Sequence, residues 1–387
     1  MQIPFSSSER SSLGVEWELQ LIDPVSRQLT SGATEILEQL RPEGAEEHPK
    51  AKHELLQSTI EIITGICGTV AEAKEDLAGT LAEVRAVAEQ HGLGMMCAGT
   101  HPFTDWQSQQ ISPKERYLQL VERMQWLARR LQIFGVHVHV GVQAPEKAIP
   151  IVNALSQYVP HFLALSASSP YWVGDDTGLA SARSKVFEGM PTAGLPYQLS
   201  GWDGFERYME TLISTHAIET VREVWWDIRP HPEFGTVELR ICDGLPTLDE
   251  IGVVAAMSQC LVEQFDREIN RGYTLPVPAS WVLRENKWRA ARHGLDADII
   301  TDDRGTVRPV RQALLDLADD LAPTARRLGC ESELADIERV LSAGASYQRQ
   351  RAVAAANGGD LVAVVDSLMV ELRDGLAAPA PAELRPR

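Results

Sequence analysis

The sequence predicts an α+β fold, a mainly antiparallel sheet with helices packed around it. Runs with strand periodicity crowd into the first two-thirds of the chain, while the last third is almost continuous helical periodicity. No Gly-x-Gly-x-x-Gly follows a strand and no Gly-x-x-x-x-Gly-Lys-Ser/Thr occurs, so dinucleotide-binding and P-loop folds are not expected.

The elements follow in order. In Ser12–Ile22, Leu13, Val15, Trp17, Leu19 and Leu21 alternate strictly, the period of a strand with one apolar face. A polar stretch from Asp23 to Lys50 holds a short helix at Ala33–Leu40, and a second strand lies within His53–Cys67, rich in β-branched residues at its end. Val70–Gln90 reads as an amphipathic helix, with Val70, Ala73, Leu77, Leu81, Val84 and Ala88 on one face and Gly92 as the stop. Gly94–Thr100 is a short buried strand running into a loop at His101-Pro102. Helices over Pro113–Arg130 and Glu146–Leu165 flank a strand at Gln132–Val142.

Ser166–Gly201 is different, being dense in Gly, Ser and Pro. A long irregular segment inside a compact domain is functional or disordered, and its aromatics with Arg183 and Lys185 favour an ordered, functional loop. A helix at Trp202–His216, a strand at Thr236–Cys242 and a helix from Leu248 to Arg271 come next. Further helices are expected at Arg308–Leu321, Glu331–Ser342, Tyr347–Ala355 and Leu361–Leu372. With no internal repeat, residues 1–375 are expected to form a single domain and 376–387 a flexible tail.

A chain of 387 residues can bury a substantial core, and 44% hydrophobic with 23% charged residues is the composition of a soluble globular protein. No run is long enough to span a bilayer, and the N-terminus lacks the basic start and apolar stretch of a secretion signal. The five cysteines, Cys67, Cys97, Cys242, Cys260 and Cys330, are scattered and never form a Cys-x-x-Cys pair. They read as reduced thiols of a cytoplasmic protein. A net charge of −18 argues against a nucleic-acid partner. Locally it means that a carboxylate-rich pocket could hold an anionic nucleotide only with divalent cations between them.

Three strands carry a polar pair on an apolar backing. Glu16 and Glu18 share the face opposite Trp17, and the plain alternative is a strand whose polar side meets water. Gly14 leaves room for close approach there. His137 and His139 share a face with Gly135 and Gly141; neutral imidazole is a good metal ligand, and the glycines would let a phosphate approach. Glu238 and Arg240 are either a salt bridge and nothing more, or a metal ligand beside a phosphate-gripping guanidinium. Glu54 and Glu61 lie seven apart and would face opposite ways in an unbroken strand, so only a bulge or turn lets both join a site. Glu61, inside an isoleucine run, is costly unless paired. Together these pairs look like the floor of a metal-nucleotide site.

The segments GVEWEL, ELLQSTIEIITGIC, CAGTHPF, FGVHVHVG, LSASSP, DTGLASARSKVF, GLPYQ, WWDIRPHPEFGTVELRICD and ENKWRAARHGLDA resemble, in this order, the type 2 glutamate–cysteine ligase family. These are ATP-dependent carboxylate–amine ligases related to the glutamine synthetase fold, and the resemblance runs from Leu13 to about residue 365. Trp17 departs from it, where many relatives carry a third Glu; strand parity turns that side chain to the core. The resemblance implies a curved antiparallel sheet forming a funnel, with ATP at one end and the carboxylate substrate at the other. It implies Glu16, Glu18, Glu61, His137 and Glu238 as positions for Mg²⁺ or Mn²⁺, with Glu54 added if the chain turns suitably. It makes Arg240 a phosphate contact, Arg183 a substrate carboxylate or phosphate contact, Arg229 a stabiliser of the transferred charge, and His139 a phosphate neighbour.

The chemistry so implied has two steps. A carboxylate attacks the ATP γ-phosphate to give an acyl phosphate, and an amine then displaces phosphate to form an amide. Glutamate and cysteine are the family's nominal substrates, and a homo-oligomer, with a dimer favoured, is the expected assembly. Two other classes compete: a metal-dependent amidohydrolase, which places its His-x-His on the first strand of a barrel, and a non-catalytic nucleotide-binding protein that keeps the fold.

Overall fold

The computed structural model describes residues 2–376. In chain order the strands are β1 (Leu13–Ile22), β2 (Ala51–His53), β3 (Thr59–Ile63), β4 (Gly94–Met96), β5 (Val136–Gly141), β6 (Tyr171–Trp172), β7 (Asp175–Asp176), β8 (Ile228–His231) and β9 (Thr236–Leu239). Seven of them form one sheet in the order β2-β3-β1-β5-β9-β8, with β4 pairing with the last three residues of β1. Every pairing in it is antiparallel, so the expected α+β architecture with an antiparallel sheet holds.

The sheet has two unlike faces because strand parity sorts its side chains. Leu13, Val15, Trp17, Leu19 and Leu21 of β1, Val136, Val138 and Val140 of β5, and Val237 and Leu239 of β9 are all buried in the main core. That face packs against two long helices, Val70–Gln90 and Leu248–Asn270. The first is opened by a reciprocal cap, in which the Thr69 side chain accepts from the Glu72 backbone and the Glu72 side chain accepts from that of Thr69. The second starts at Thr247, whose hydroxyl accepts from the Glu250 N–H, and every residue from Glu250 to Glu263 is buried. Trp17 lies in this core, its Nε1 donating to the Leu245 carbonyl at 3.0 Å. The departure from the family pattern therefore costs the polar face nothing.

The helices at Ala33–Leu40 and Val70–Gln90 and the strand β1 fall where expected. Other bounds differ for local reasons. The helix expected over Pro113–Arg130 splits into Glu115–Met124 and Trp126–Arg129 at Gln125, whose φ of 50° no helix continues through. The Glu146–Leu165 helix becomes Pro145–Leu155 and Val159–Ser166, divided by a tight turn at Ser156–Tyr158 ahead of Pro160. A helix at Ser280–His293 precedes the helices expected from Arg308 onward, and the Arg308–Leu321 helix becomes Val310–Leu328, ended by Gly329 at φ 71°.

The segment Ser166–Gly201 is ordered, holding the β6–β7 hairpin and a helix at Ala182–Phe187 capped by Ser181. Strands β2 and β8 and a hairpin of β10 (Asp298–Ile300) with β11 (Val307–Pro309) had no sequence expectation. Each spans three or four residues, too few to display a period. Of the expected tail, residues 377–387 lie outside the described residues, whereas Leu376 is buried.

Candidate active site

The polar face of the sheet gathers the acids by register. Glu18 of β1 stands opposite Glu61 of β3, Glu16 opposite His137 of β5, His139 opposite Glu238 of β9, and Arg229 of β8 opposite Glu238. Glu54 joins because β2 and β3 form a hairpin, with Lys52 opposite Glu61. The reversal between His53 and Thr59 is the turn that the sevenfold spacing required, and Glu54 sits at its start, where it lines a cavity together with Glu18.

Two groups of ligand atoms result. One atom each from Glu16, His137 and Glu238 lie within 4.8 Å of one another, and so do atoms of Glu18, Glu61 and His137. His137 is shared. Its Nδ1 is 2.8 Å from Glu16 Oε2, and burial together with Arg240 pushes its pKa down to about 4. The ring is therefore neutral, Nδ1 donates to Glu16, and the Nε2 lone pair is left facing Glu18 Oε1 at 3.9 Å.

The acids divide by neighbour. Burial opposes charge on all of them. For Glu16, His139 and His137 outweigh burial and hold its carboxyl well below the usual range. For Glu238, Arg229 and Arg240 do the same. For Glu18 the nearby cations do not suffice: burial and then Glu54 push it up to about 8, although Arg183 and Arg240 favour its charge and the Gly135 N–H donates to its Oε2 at 2.6 Å. Glu61 is pushed well above the ordinary value by burial and by Glu16, Glu54 and Glu18, and Glu54 is raised by burial. A cluster of carboxylates that resist sharing negative charge, with one neutral imidazole among them, is the donor set of a hard divalent cation. The residues fit Mg²⁺ or Mn²⁺.

The cations are less uniform than expected. Arg240 lines the cavity, pairs with Glu238 and keeps a buried Nε with no partner. Arg183 also lines it, on the Ala182–Phe187 helix; its Nη atoms donate to the carbonyls of Arg240 at 3.2 Å and Ile241 at 3.3 Å, and its Nε is unpartnered. Arg229 is not brought to this cavity. Its Nε donates to Glu238 Oε2 at 2.7 Å and its Nη1 to the carbonyls of Arg222 and Val224 at 2.8 and 2.9 Å, so it is the cross-strand partner that positions Glu238. It lines instead a second cavity of ≈ 380 Å³. His139 is held between Glu16 Oε1 at 3.1 Å and Thr236 Oγ1 at 3.0 Å, and Glu238 and Glu16 raise its pKa against burial.

The glycines differ from their expected use. A Cβ on Gly135 would stand 2.3 Å from Arg183 Nη2, and one on Gly141 would stand 2.2 Å from the Glu9 carbonyl. Both close approaches are to protein, not to open space for a phosphate. Gly14 faces His139 Cβ at an ordinary 3.6 Å.

Several residues that periodicity did not single out complete the site. The main cavity, ≈ 680 Å³, is also lined by Arg116, Arg123, Arg222, Glu223 and Trp225. Behind Arg183, the fully buried Asp243 accepts from Ser169 Oγ at 2.6 Å, Ser181 Oγ at 2.8 Å and Ser168 N at 3.0 Å. This hub ties the serine-rich segment to the end of β9. Lys287, 2% exposed, bridges Asp227 and Glu188, each at 2.6 Å. The run of serines in LSASSP and the family segments around Asp243 and Lys287 were the available signals; periodicity carried none.

His137 and His139 lie on a central strand of a sheet whose path ends at two edges, β2 and β8, not on the first strand of a barrel. This removes the premise of the amidohydrolase alternative. Among the described residues no helix is long and apolar enough to cross a membrane, and all five cysteines are free and buried.

The chain is 63% identical over 376 residues to a Frankia alni protein named "Putative glutamate--cysteine ligase 2-1", covering 97% of this chain and 98% of that one. A Thermobifida fusca protein named "Putative glutamate--cysteine ligase 2" is 56% identical over 382 residues, 98% of this chain and 95% of its own. The fold matches a crystal structure of a glutamate–cysteine ligase from Francisella tularensis in complex with AMP, with a TM-score of 0.68 at 12% identity over 96% of this chain and 90% of that one. It also matches a bifunctional glutathione synthetase from Pasteurella multocida, with a TM-score of 0.66 at 14% identity over 93% of this chain and 52% of that one. The model of glutamate–cysteine ligase family 2 matches residues 12–367; with the acid floor, the antiparallel sheet and this span in agreement, the chain belongs to that family.

Proposed function

We propose that the protein is an ATP-dependent carboxylate–amine ligase that joins glutamate to cysteine through an acyl phosphate, releasing ADP and phosphate. The observation that carries this is the pair of acid groups sharing His137 beside a cavity that holds Arg183 and Arg240. Such a pairing suits a polyphosphate held against an acidic floor. The names of the relatives, and the AMP bound by the Francisella structure, support the same reading.

Glu16, His137 and Glu238 would hold one divalent cation and Glu18, Glu61 and His137, with Glu54 beside them, another. Bound there, Mg²⁺ or Mn²⁺ would neutralise the phosphate oxygens and polarise the transferred group. The chain's own residues do the rest. Arg240, its charge held by Glu238, places a guanidinium at the edge of the cavity for the γ-phosphoryl oxygens, and Arg183 offers a second one to the phosphate or the substrate carboxylate. Arg229 and His139 keep Glu238 and Glu16 ionised and oriented. Leu131, Phe134 and Phe187 add an apolar stretch of wall to the same cavity. The reading treats residues 1–375 as one catalytic unit of a cytoplasmic homo-oligomer, with a dimer favoured.

The test is the fate of oxygen. With ¹⁸O in the reacting carboxylate of glutamate, the label is expected in inorganic phosphate, with ADP as the nucleotide product. AMP as product, or unlabelled phosphate, overturns the mechanism. Absence of nucleotide turnover with every acid and amine supplied would leave the non-catalytic alternative.

A further inference from the structure

Five arginines line the main cavity: Arg116, Arg123, Arg183, Arg222 and Arg240. Four have a carboxylate of their own within 4.0 Å, namely Glu223 for Arg123, Asp243 for Arg183, Glu233 for Arg222 and Glu238 for Arg240. Among the described residues, Arg116 has none.

Arg116 is nevertheless held in place. Its helix, Glu115–Met124, buries only Tyr117, and residues 116, 119, 120 and 123, spaced as one helical face, line the cavity. The guanidinium lies 4.4 Å over the Tyr117 ring and donates to the Tyr117 hydroxyl. It also reaches the His53 carbonyl at 3.5 Å, to which Tyr117 Oη donates at 2.9 Å. His53 immediately precedes Glu54, so Arg116 is anchored to the turn that carries one of the site's acids. Tyr117, Glu54 and Glu61 all favour its charge against partial burial. The result is a fixed cation, stacked on an aromatic ring at the wall of the cavity, with its capacity for a carboxylate unused.

We propose that Arg116 binds the second carboxylate of the acid substrate, the one that is not activated, and so sets the preference for glutamate over an acid with a single carboxylate. The inference rests on the ligase reading and adds to it the residue that discriminates between acids. A planar guanidinium grips a carboxylate through two parallel hydrogen bonds. The substrate then spans the cavity, one carboxylate on Arg116 and the other on the side of Arg183 and Arg240. The discrimination is therefore against acids with a single carboxylate.

The experiment pairs a change in the protein with a change in the substrate. Glutamate and 4-aminobutyrate, which is glutamate without its α-carboxylate, are compared with the parent protein and with Arg116→Gln and Arg116→Lys, at saturating Mg-ATP and cysteine. The parent is expected to prefer glutamate by about 30-fold or more in kcat/KM, the worth of a charge-assisted contact. Arg116→Gln should lose about that factor on glutamate and change little on 4-aminobutyrate, while Arg116→Lys, which keeps charge but not the fork, should fall between. An equal fall on both acids, or an unchanged preference, overturns the assignment. Thermal stabilisation by each acid is measured alongside. If no acid supports ADP release, the ligase reading fails; Arg116 is then judged by whether glutamate stabilises the parent more than 4-aminobutyrate does and Arg116→Gln removes the difference. No difference overturns it.

Discussion

Replacing Gly135 by alanine should disable the site while leaving the protein folded. The added Cβ would lie 2.3 Å from Arg183 Nη2, 3.0 Å from Arg183 Cζ and 3.2 Å from the Cys242 carbonyl. Ordinary contact begins near 3.4 Å, so the guanidinium must retreat by about 1 Å. It has little room to do so, being 5% exposed with its Nη atoms donating to two carbonyls at 3.2 and 3.3 Å. Overpacking of this kind costs about 1–3 kcal/mol, which for a chain of this length lowers the melting temperature by about 1–4 °C. The functional loss is larger in effect, since a misplacement of about 1 Å in a positioning group costs about 100-fold in rate. The assay is kcat/KM from ADP release together with thermal denaturation. A Gly135→Ala protein with parental kcat/KM would show that Arg183 is not held where the reaction needs it. Unfolding instead would show that the guanidinium cannot yield at all.

Lys287→Met strips the cation from Asp227, which is fully buried, and should cost about 3–5 kcal/mol in denaturant titration, with Asp227→Asn in the same chain recovering much of it; two additive losses would refute the pairing. His101 donates Nε2–H to the Arg27 carbonyl at 2.9 Å and accepts at Nδ1 from Thr104 N at 3.0 Å, and burial pushes its pKa down to about 3 from 6.5. Between those pH values the unfolded chain binds a proton that the folded one refuses. Its contribution is therefore fully present above pH 6.5 and is lost as pH falls toward 3, in all about 5 kcal/mol; His101→Gln should make stability less steep in that window, and parallel curves would exclude the assignment. Glu61→Gln removes an acid whose ionisation burial and three neighbouring carboxylates oppose, so without metal it should raise the melting temperature near neutral pH. The same change should abolish any rise in melting temperature on adding Mg²⁺, and a retained rise would take Glu61 out of the ligand set.

Much of the floor of the site was legible because strand parity is local. Alternation alone put Glu16 with Glu18, His137 with His139 and Glu238 with Arg240 on faces opposite an apolar backing, and the helix Val70–Gln90 declared its bounds through spacing and terminal glycine. Parity cannot say which strands are neighbours. Register decided that Glu18 meets Glu61, that Arg229 rather than Arg240 pairs across the strands with Glu238, and that His139 is enclosed by Glu16 and Thr236. The Glu54 question stayed open in the sequence because strands of three residues show no period, and only the hairpin of β2 with β3 closed the turn. Arg116 and Asp243 were illegible to periodicity for a different reason. One is a charge among many on an amphipathic helix and the other an acid just past a strand; what makes each informative is a partner, missing or present, supplied by segments distant in the chain. Local order follows from the side chains a residue has beside it, whereas charge and ligation depend on which backbones the fold brings within a few ångströms.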